Sequence, residues 1–203
     1  MIPIEHHQLQ PFLPPDARLL MLGSFPPPKK RWSMEFFYPN RTNQMWEIFG
    51  LVFLGDSQRL VDAANKTFRL EDIKALLEEH GIAIYDTASS VRRLSGNASD
   101  KDLEIVEKTD IPSLLEQIPH CHDIVCTGQK SFSVLTEDYG VPVPAMGTFN
   151  EFFINCSAKL GDLSEGLRSV KLWRMPSSSR AYPMKLEEKT TYYRKMMKTI
   201  GVI

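Results

Sequence analysis

The chain predicts an α/β sandwich built on a mostly parallel sheet, and three observations carry that expectation. Short apolar runs ending in turn residues alternate with amphipathic stretches at helical spacing. Strands that alternate with helices are joined by crossovers, which place helices on the faces of a parallel sheet. The composition suits a packed core: 42% of the 203 residues are hydrophobic and 10% aromatic, and the net charge is only −1. At this length a single domain over residues 1–203 is expected.

The elements follow in order. Ala17 to Leu22, closed by Gly23, is short, apolar and ended by a turn signal, so it reads as a buried strand. Ser24 to Thr42 holds too many prolines and polar residues for a regular element; a loop this long inside a compact domain usually carries function. Asn43 can cap a helix with Met45, Trp46, Phe49, Val52 and Phe53 on its apolar face. Leu70, Ile73, Leu76 and Leu77 mark a second helix over Leu70 to Glu79, ended by His80-Gly81. Ile82 to Tyr85 is a second strand ending at Asp86. Ile111 to Ile118 reads as a short helix, and Asp123 to Thr127 as a third strand ending at Gly128. Gln129 to Tyr139 is a helix with Phe132 and Leu135 inward, and Phe149 to Ile154 is apolar and β-prone. Val170 to Met175 is a strand stopped by Pro176, and Leu186 to Ile200 a helix with Tyr193, Met196, Met197 and Ile200 on one side. Ligands of parallel sheets gather at the carboxyl ends of the strands. Gly23-Ser24, Asp86-Thr87, Thr127-Gly128 and Pro176-Ser177 are therefore expected on one rim.

Several function classes are excluded. No run of about 18 apolar residues occurs, so a membrane-spanning helix is not expected. Met1 to Gln10 lacks the basic-then-apolar order of a secretory leader, and Cys121, Cys126 and Cys156 fit a reducing, cytoplasmic setting. No dinucleotide, P-loop, zinc-protease or serine-hydrolase signature is present. Gly128-Gln129-Lys130-Ser131 lacks the upstream glycine of a phosphate loop. His120-Cys121-His122-Asp123 has metal-ligating residue types, but neighbours on one strand point to opposite faces, and a loop-to-strand transition explains it better. No metal and no cofactor are expected. Charge is segregated: Ser24 to Trp46 has four basic residues to one acid, and Arg168 to Ile203 nine to two. Such segregation suggests a positive face for a phosphate-bearing partner, with Lys29, Lys30, Arg31, Arg180 and Lys185 on it. Ordinary solvated helix faces would give similar counts.

The chemistry that remains sits in two loops. The first reads Gly23-Ser24-Phe25-Pro26-Pro27, then Phe36-Phe37-Tyr38-Pro39-Asn40 and Asn43-Gln44-Met45-Trp46; the second reads Met175-Pro176-Ser177-Ser178-Ser179-Arg180. Between them lie Gly81 to Asp86 and Ser95-Gly96-Asn97-Ala98-Ser99-Asp100. Hydroxyls, backbone amides and Arg180 suit phosphate, and an aromatic face suits any base. In this order, from about Leu19 to the terminal helix, the segments resemble the uracil-DNA glycosylase superfamily, especially its mismatch-specific and hypoxanthine-type branches.

The resemblance implies a three-layer α/β/α sandwich around a four-stranded parallel sheet. It also implies a monomeric DNA-repair enzyme that flips a deaminated base, uracil or hypoxanthine, out of damaged or mismatched DNA and hydrolyses its N-glycosidic bond. On that pattern the loop with Ser24 and Phe25 approaches the sugar, and Phe37 or Tyr38 stacks on the base. Asn43-x-x-Trp46 matches an asparagine-x-phenylalanine-tryptophan element, with Met45 in place of phenylalanine. Thr127 stands where a base-reading asparagine is expected, and Pro176, Ser177, Ser178 and Ser179 meet the phosphates. The first loop lacks the acid or amide of active members, and Met175 replaces the histidine or asparagine that opens the second motif. Asn43 and Asp86, with Ser24 by position, are the candidates to orient water or hold the base. Each has a plain structural reading as well: Asn43 as a helix cap, Asp86 as a strand-end turn residue, Phe37 and Tyr38 as loop packing. A non-catalytic nucleic-acid-binding module of this fold, or an α/β enzyme of free nucleosides or nucleotides, would use the same features.

Overall fold

A computed structural model describes residues 2–95, 102–156 and 166–203, so the Gly96 to Asp100 segment singled out above lies outside the described residues. The chain begins with strand β1 (Ile4–His6) and then enters β2 (Leu19–Gly23), every residue of which is buried. A long loop with one 3-10 turn at Lys29–Arg31 leads to helix α1 (Met45–Phe53). A two-stranded ribbon, β3 (Val61–Asp62) and β4 (Thr67–Phe68), precedes α2 (Leu70–Glu79). β5 (Ile82–Asp86) runs almost directly into β6 (Ala88–Arg93), followed by β7 (Leu103–Lys108) and α3 (Ile111–Gln117). The rest is β8 (Asp123–Cys126), α4 (Gln129–Tyr139), β9 (Phe149–Asn155), β10 (Leu167–Arg174) and α5 (Leu186–Ile200).

The central sheet has the order β5-β2-β8-β10-β9. Its first four strands are parallel, as expected, but a fifth strand, β9, extends the sheet antiparallel to β10. Side chains alternate across it, as the pleat requires. Leu19, Met21, Ile82, Ile84, Val125 and Trp173 pack toward α1, α2 and α5. Leu20, Leu22, Ala83, Ile124 and Leu172 pack toward α3 and α4. Strands covered on both faces read as unbroken apolar runs, which is why β2, β5 and β8 were visible in the sequence.

A second sheet, of order β1-β6-β7 and wholly antiparallel, was not expected. Its own apolar cluster is small: Ala88, Val91 and Leu103, with Phe25 and Ile105 against them. After β1 the chain runs along the free edge of β5, where Phe12 and Ile84 exchange backbone hydrogen bonds of 3.0 and 2.9 Å. This edge covering brings His7 to the end of β5.

Candidate active site at the strand ends

A cleft of about 1240 Å³ opens at the carboxyl ends of the parallel strands. Ser24, Asp86, Thr127 and Ser177 all line it, so the four strand exits do share one rim.

Asp86 is mostly buried and fixed from several sides. Its backbone pairs with Gly23 of the adjacent strand. Its Oδ2 lies 2.9 Å from His7 Nε2, and its carbonyl accepts the Thr109 hydroxyl at 2.7 Å. Its Oδ1 lies against Gly23 Cα, where a Cβ would sit only 2.1 Å from that oxygen. Glycine at the first strand exit thus makes room for a carboxylate from the second. The Asp86 carboxylate stands at the level of the first strand's exit, one strand over. Ser24 is buried beside it, with its carbonyl held by Ala88 N–H at 3.2 Å.

Asn43 lines the cleft and stands one residue before Gln44, the N-cap of α1, not at the cap itself; its Oδ1 accepts Met45 N–H at 2.9 Å. The side-chain NH2 remains to donate, so Asn43 is better suited to a carbonyl of a base than to deprotonating water. Phe37 and Tyr38 both line the cleft and differ in role. Phe37 is core, packed edge-on to Phe36 and Tyr85, and its carbonyl accepts Trp46 Nε1–H at 3.2 Å. Trp46 itself is wholly buried. Tyr38 is half-buried, has φ +50°, and its hydroxyl pairs with Thr127 Oγ1 at 2.8 Å. A left-handed backbone is uncommon for so large a side chain and persists only where its surroundings hold it. Burial pushes the Tyr38 hydroxyl well above its ordinary pKa, so it stays a neutral donor and acceptor. Phe25 lines the same wall, edge-on to the His7 ring.

The serine loop is clamped from below. Tyr193 donates to the Pro176 carbonyl at 3.0 Å, and Gln44 N–H to the Ser178 carbonyl at 2.9 Å. Lys189, wholly buried, donates from Nζ to the Ser179 carbonyl at 2.7 Å and to Gln44 Oε1 at 2.9 Å. Burial lowers the Lys189 pKa, with Arg180 adding repulsion and Glu47 opposing it. Pro176 and Ser178 are buried, whereas Ser177 and Ser179 are partly open and line the cleft with Ser178.

The expected basic residues are only partly gathered. Arg31 and Arg180 line the cleft; Lys30 and Lys185 are exposed and do not. Lys29 pairs with Glu35, sits 3.9 Å from the Trp32 ring centre, and lines a separate groove of about 430 Å³. Lys130 and Arg174, from the exits of β8 and β10, line the cleft instead; both lie outside the two loops that carry the sequence motifs. His7 was missed, because nothing local marks a residue brought in by long-range strand pairing. Among the described residues no cluster of three or more histidine, cysteine, aspartate or glutamate side chains could hold a metal. Those of the Cys121-His122-Asp123 run are engaged locally: the Cys121 thiol on the Asp123 carbonyl, His122 on the Ser169 carbonyl, and Asp123 with Trp173. Among the same residues no helix is long and apolar enough to cross a membrane.

No family model and no curated protein matches the sequence. Among solved structures the chain is similar to the solution NMR structure of a provisionally assigned uracil DNA glycosylase from Methanosarcina acetivorans. The TM-score is 0.62 at 17% identity, over 98% of this chain and 99% of that one. A likeness at that identity speaks to architecture, and with the strand order above it gives the conclusion: this chain has a uracil-DNA-glycosylase-like α/β fold.

Proposed function

We propose that the protein is a DNA glycosylase that removes a deaminated base, uracil or hypoxanthine, by flipping it into the cleft and hydrolysing its N-glycosidic bond. The observation that carries this reading is the buried Asp86 carboxylate, paired with His7 at the end of β5 in a cleft it shares with Tyr38, Thr127 and the clamped serine loop. Loss of the base leaves a cationic, oxocarbenium-like sugar. A carboxylate beside it stabilises that charge and takes a proton from the attacking water. Asp86 fills this role. The Asn43 amide donates to a base carbonyl, and the Tyr38–Thr127 hydroxyl pair offers a donor and an acceptor to its edge. The Tyr38 ring supplies the stacking face. Ser177, Ser179, Arg180 and Arg31 hold flanking phosphates.

The test is excision from oligonucleotides carrying uracil, hypoxanthine or xanthine, in single and double strands. Cleavable abasic sites are expected with at least one base, and Asp86→Asn should slow their formation about 10²-fold or more. Binding without excision would point instead to a nucleic-acid-binding module. Tight mononucleotide binding indifferent to a flanking strand would point to an enzyme of free nucleotides.

A further inference from the structure

His7 lies just beyond β1, its backbone N–H on the Ser89 carbonyl at 2.9 Å, and its side chain is 3% exposed. The ring is boxed by Phe25, Tyr85 and Phe37, with centroids at 5.4, 4.6 and 6.3 Å. Nε2 meets Asp86 Oδ2 at 2.9 Å. Nδ1 faces both polar groups of one residue: the Leu9 N–H at 3.2 Å and the Leu9 carbonyl at 2.9 Å. A neutral ring with its proton on Nε2 accepts from the Leu9 N–H, and a protonated ring donates from Nδ1 to the Leu9 carbonyl. In both states Nε2–H donates to the carboxylate. The imidazole can therefore hold Asp86 in one orientation whatever its own charge.

That orientation matters because the His7 bond is made by the carboxylate itself, whereas the Thr109 hydroxyl and the Gly23 pairing hold the Asp86 backbone. With Oδ2 on His7, Oδ1 is set against the Gly23 backbone, at the turn into the Ser24 loop. We propose that His7 is a positioning residue for hydrolysis: it fixes the Asp86 carboxylate so that one oxygen receives the proton of the water attacking the sugar. This inference rests on the glycosylase reading. In the step, the water oxygen bonds to the sugar's anomeric carbon as the base leaves with the bonding electrons, and the water proton passes to Asp86. A carboxylate free to rotate loses its near-attack geometry, and displacement on the ångström scale can cost about 10²-fold in rate.

Single-turnover excision of the preferred base tests this, with DNA affinity measured in parallel. His7→Leu should lower the rate about 10²-fold and leave affinity for the damaged duplex within about twofold. His7→Gln, whose amide nitrogen can reach Asp86, should recover most of the rate; His7→Asn, one methylene shorter, should not. In the Asp86→Asn background, His7→Leu should slow the reaction little further, because the two residues act as a unit. Equal rates for His7→Gln and His7→Asn, wild-type rate in His7→Leu, or additive losses in the double variant would each overturn the assignment. A wild-type protein that excises none of the bases would overturn the glycosylase reading itself.

Discussion

Gly23 and Asp86 share a register position on adjacent strands, and the carboxylate occupies the space a side chain at position 23 would need. Gly23→Ala should therefore push Asp86 out of place; excision is expected to fall at least about tenfold while far-ultraviolet circular dichroism stays unchanged. Tyr38 makes a second single-residue case. Its left-handed backbone costs on the order of 1 kcal/mol, set against the hydroxyl pair with Thr127 and an edge-on contact with Trp46. Tyr38→Phe keeps the ring and strands Thr127, so denaturant unfolding should show a loss of about 1–2 kcal/mol. Stacking on DNA should survive that change. Neither residue's role was open to sequence reading in full. Asp86 was visible as a candidate at the end of an apolar run and Tyr38 as the aromatic before a proline, but their partners lie 79 and 89 positions away.

At the scale of elements, α5 supports the serine loop as well as the core. Tyr193, Met196 and Met197 face the sheet, and Lys189 one turn earlier reaches the Ser179 carbonyl and Gln44. Lys189→Met removes both bonds, leaving Gln44 Oε1 without its donor and the Ser179 carbonyl with the Tyr182 N–H at 3.1 Å alone, at a cost of about 1–3 kcal/mol. The loop should loosen locally, so amide exchange at Ser178 and Ser179 should accelerate and duplex binding weaken. The helices were legible because each shows apolar residues at three- and four-residue spacing, and the parallel strands because both their faces are covered. The β1-β6-β7 sheet was not. Ala88-Ser89-Ser90-Val91-Arg92-Arg93 and Leu103-Glu104-Ile105-Val106-Glu107-Lys108 bury only Ala88, Val91 and Leu103 among their apolar side chains, too little for a pattern. β9 was read as β-prone, but no local signal sets its antiparallel direction. With the small sheet went His7, so the site was legible on its strand-exit side only.

At the scale of the molecule, Arg31, Lys130, Arg174 and Arg180 reach one cleft from four separate segments. If each neutralises one phosphate, the logarithm of duplex affinity should fall with the logarithm of salt at a slope of about −3 to −4, and Arg180→Ala should lessen it by about one. Alkali should act on the whole chain. Tyr38 and Tyr85 are raised and Tyr139 is pushed up to about 12, in each case chiefly by burial. Because the folded state holds these protons more tightly, their contribution to stability is complete below pH 10 and declines as the unfolded tyrosines ionise above it. The Cys121 and Cys126 thiols are likewise pushed up to about 12 by burial. Thermal unfolding followed from pH 7 to 11.5 should thus show its midpoint begin to fall at about pH 9, where unfolded thiols ionise, and fall more steeply beyond about pH 10. The three tryptophans divide the protein optically. Trp46 and Trp173 are buried in the core, whereas Trp32 is half-buried beside the Lys29 ammonium at the smaller groove. Iodide should thus quench a single red-shifted component of the emission, and Trp32→Phe should abolish it. The remaining blue emission comes from Trp46 and Trp173, and its Trp46 share, from an indole edge-on to Tyr38, would then serve as a built-in reporter of a base entering the cleft.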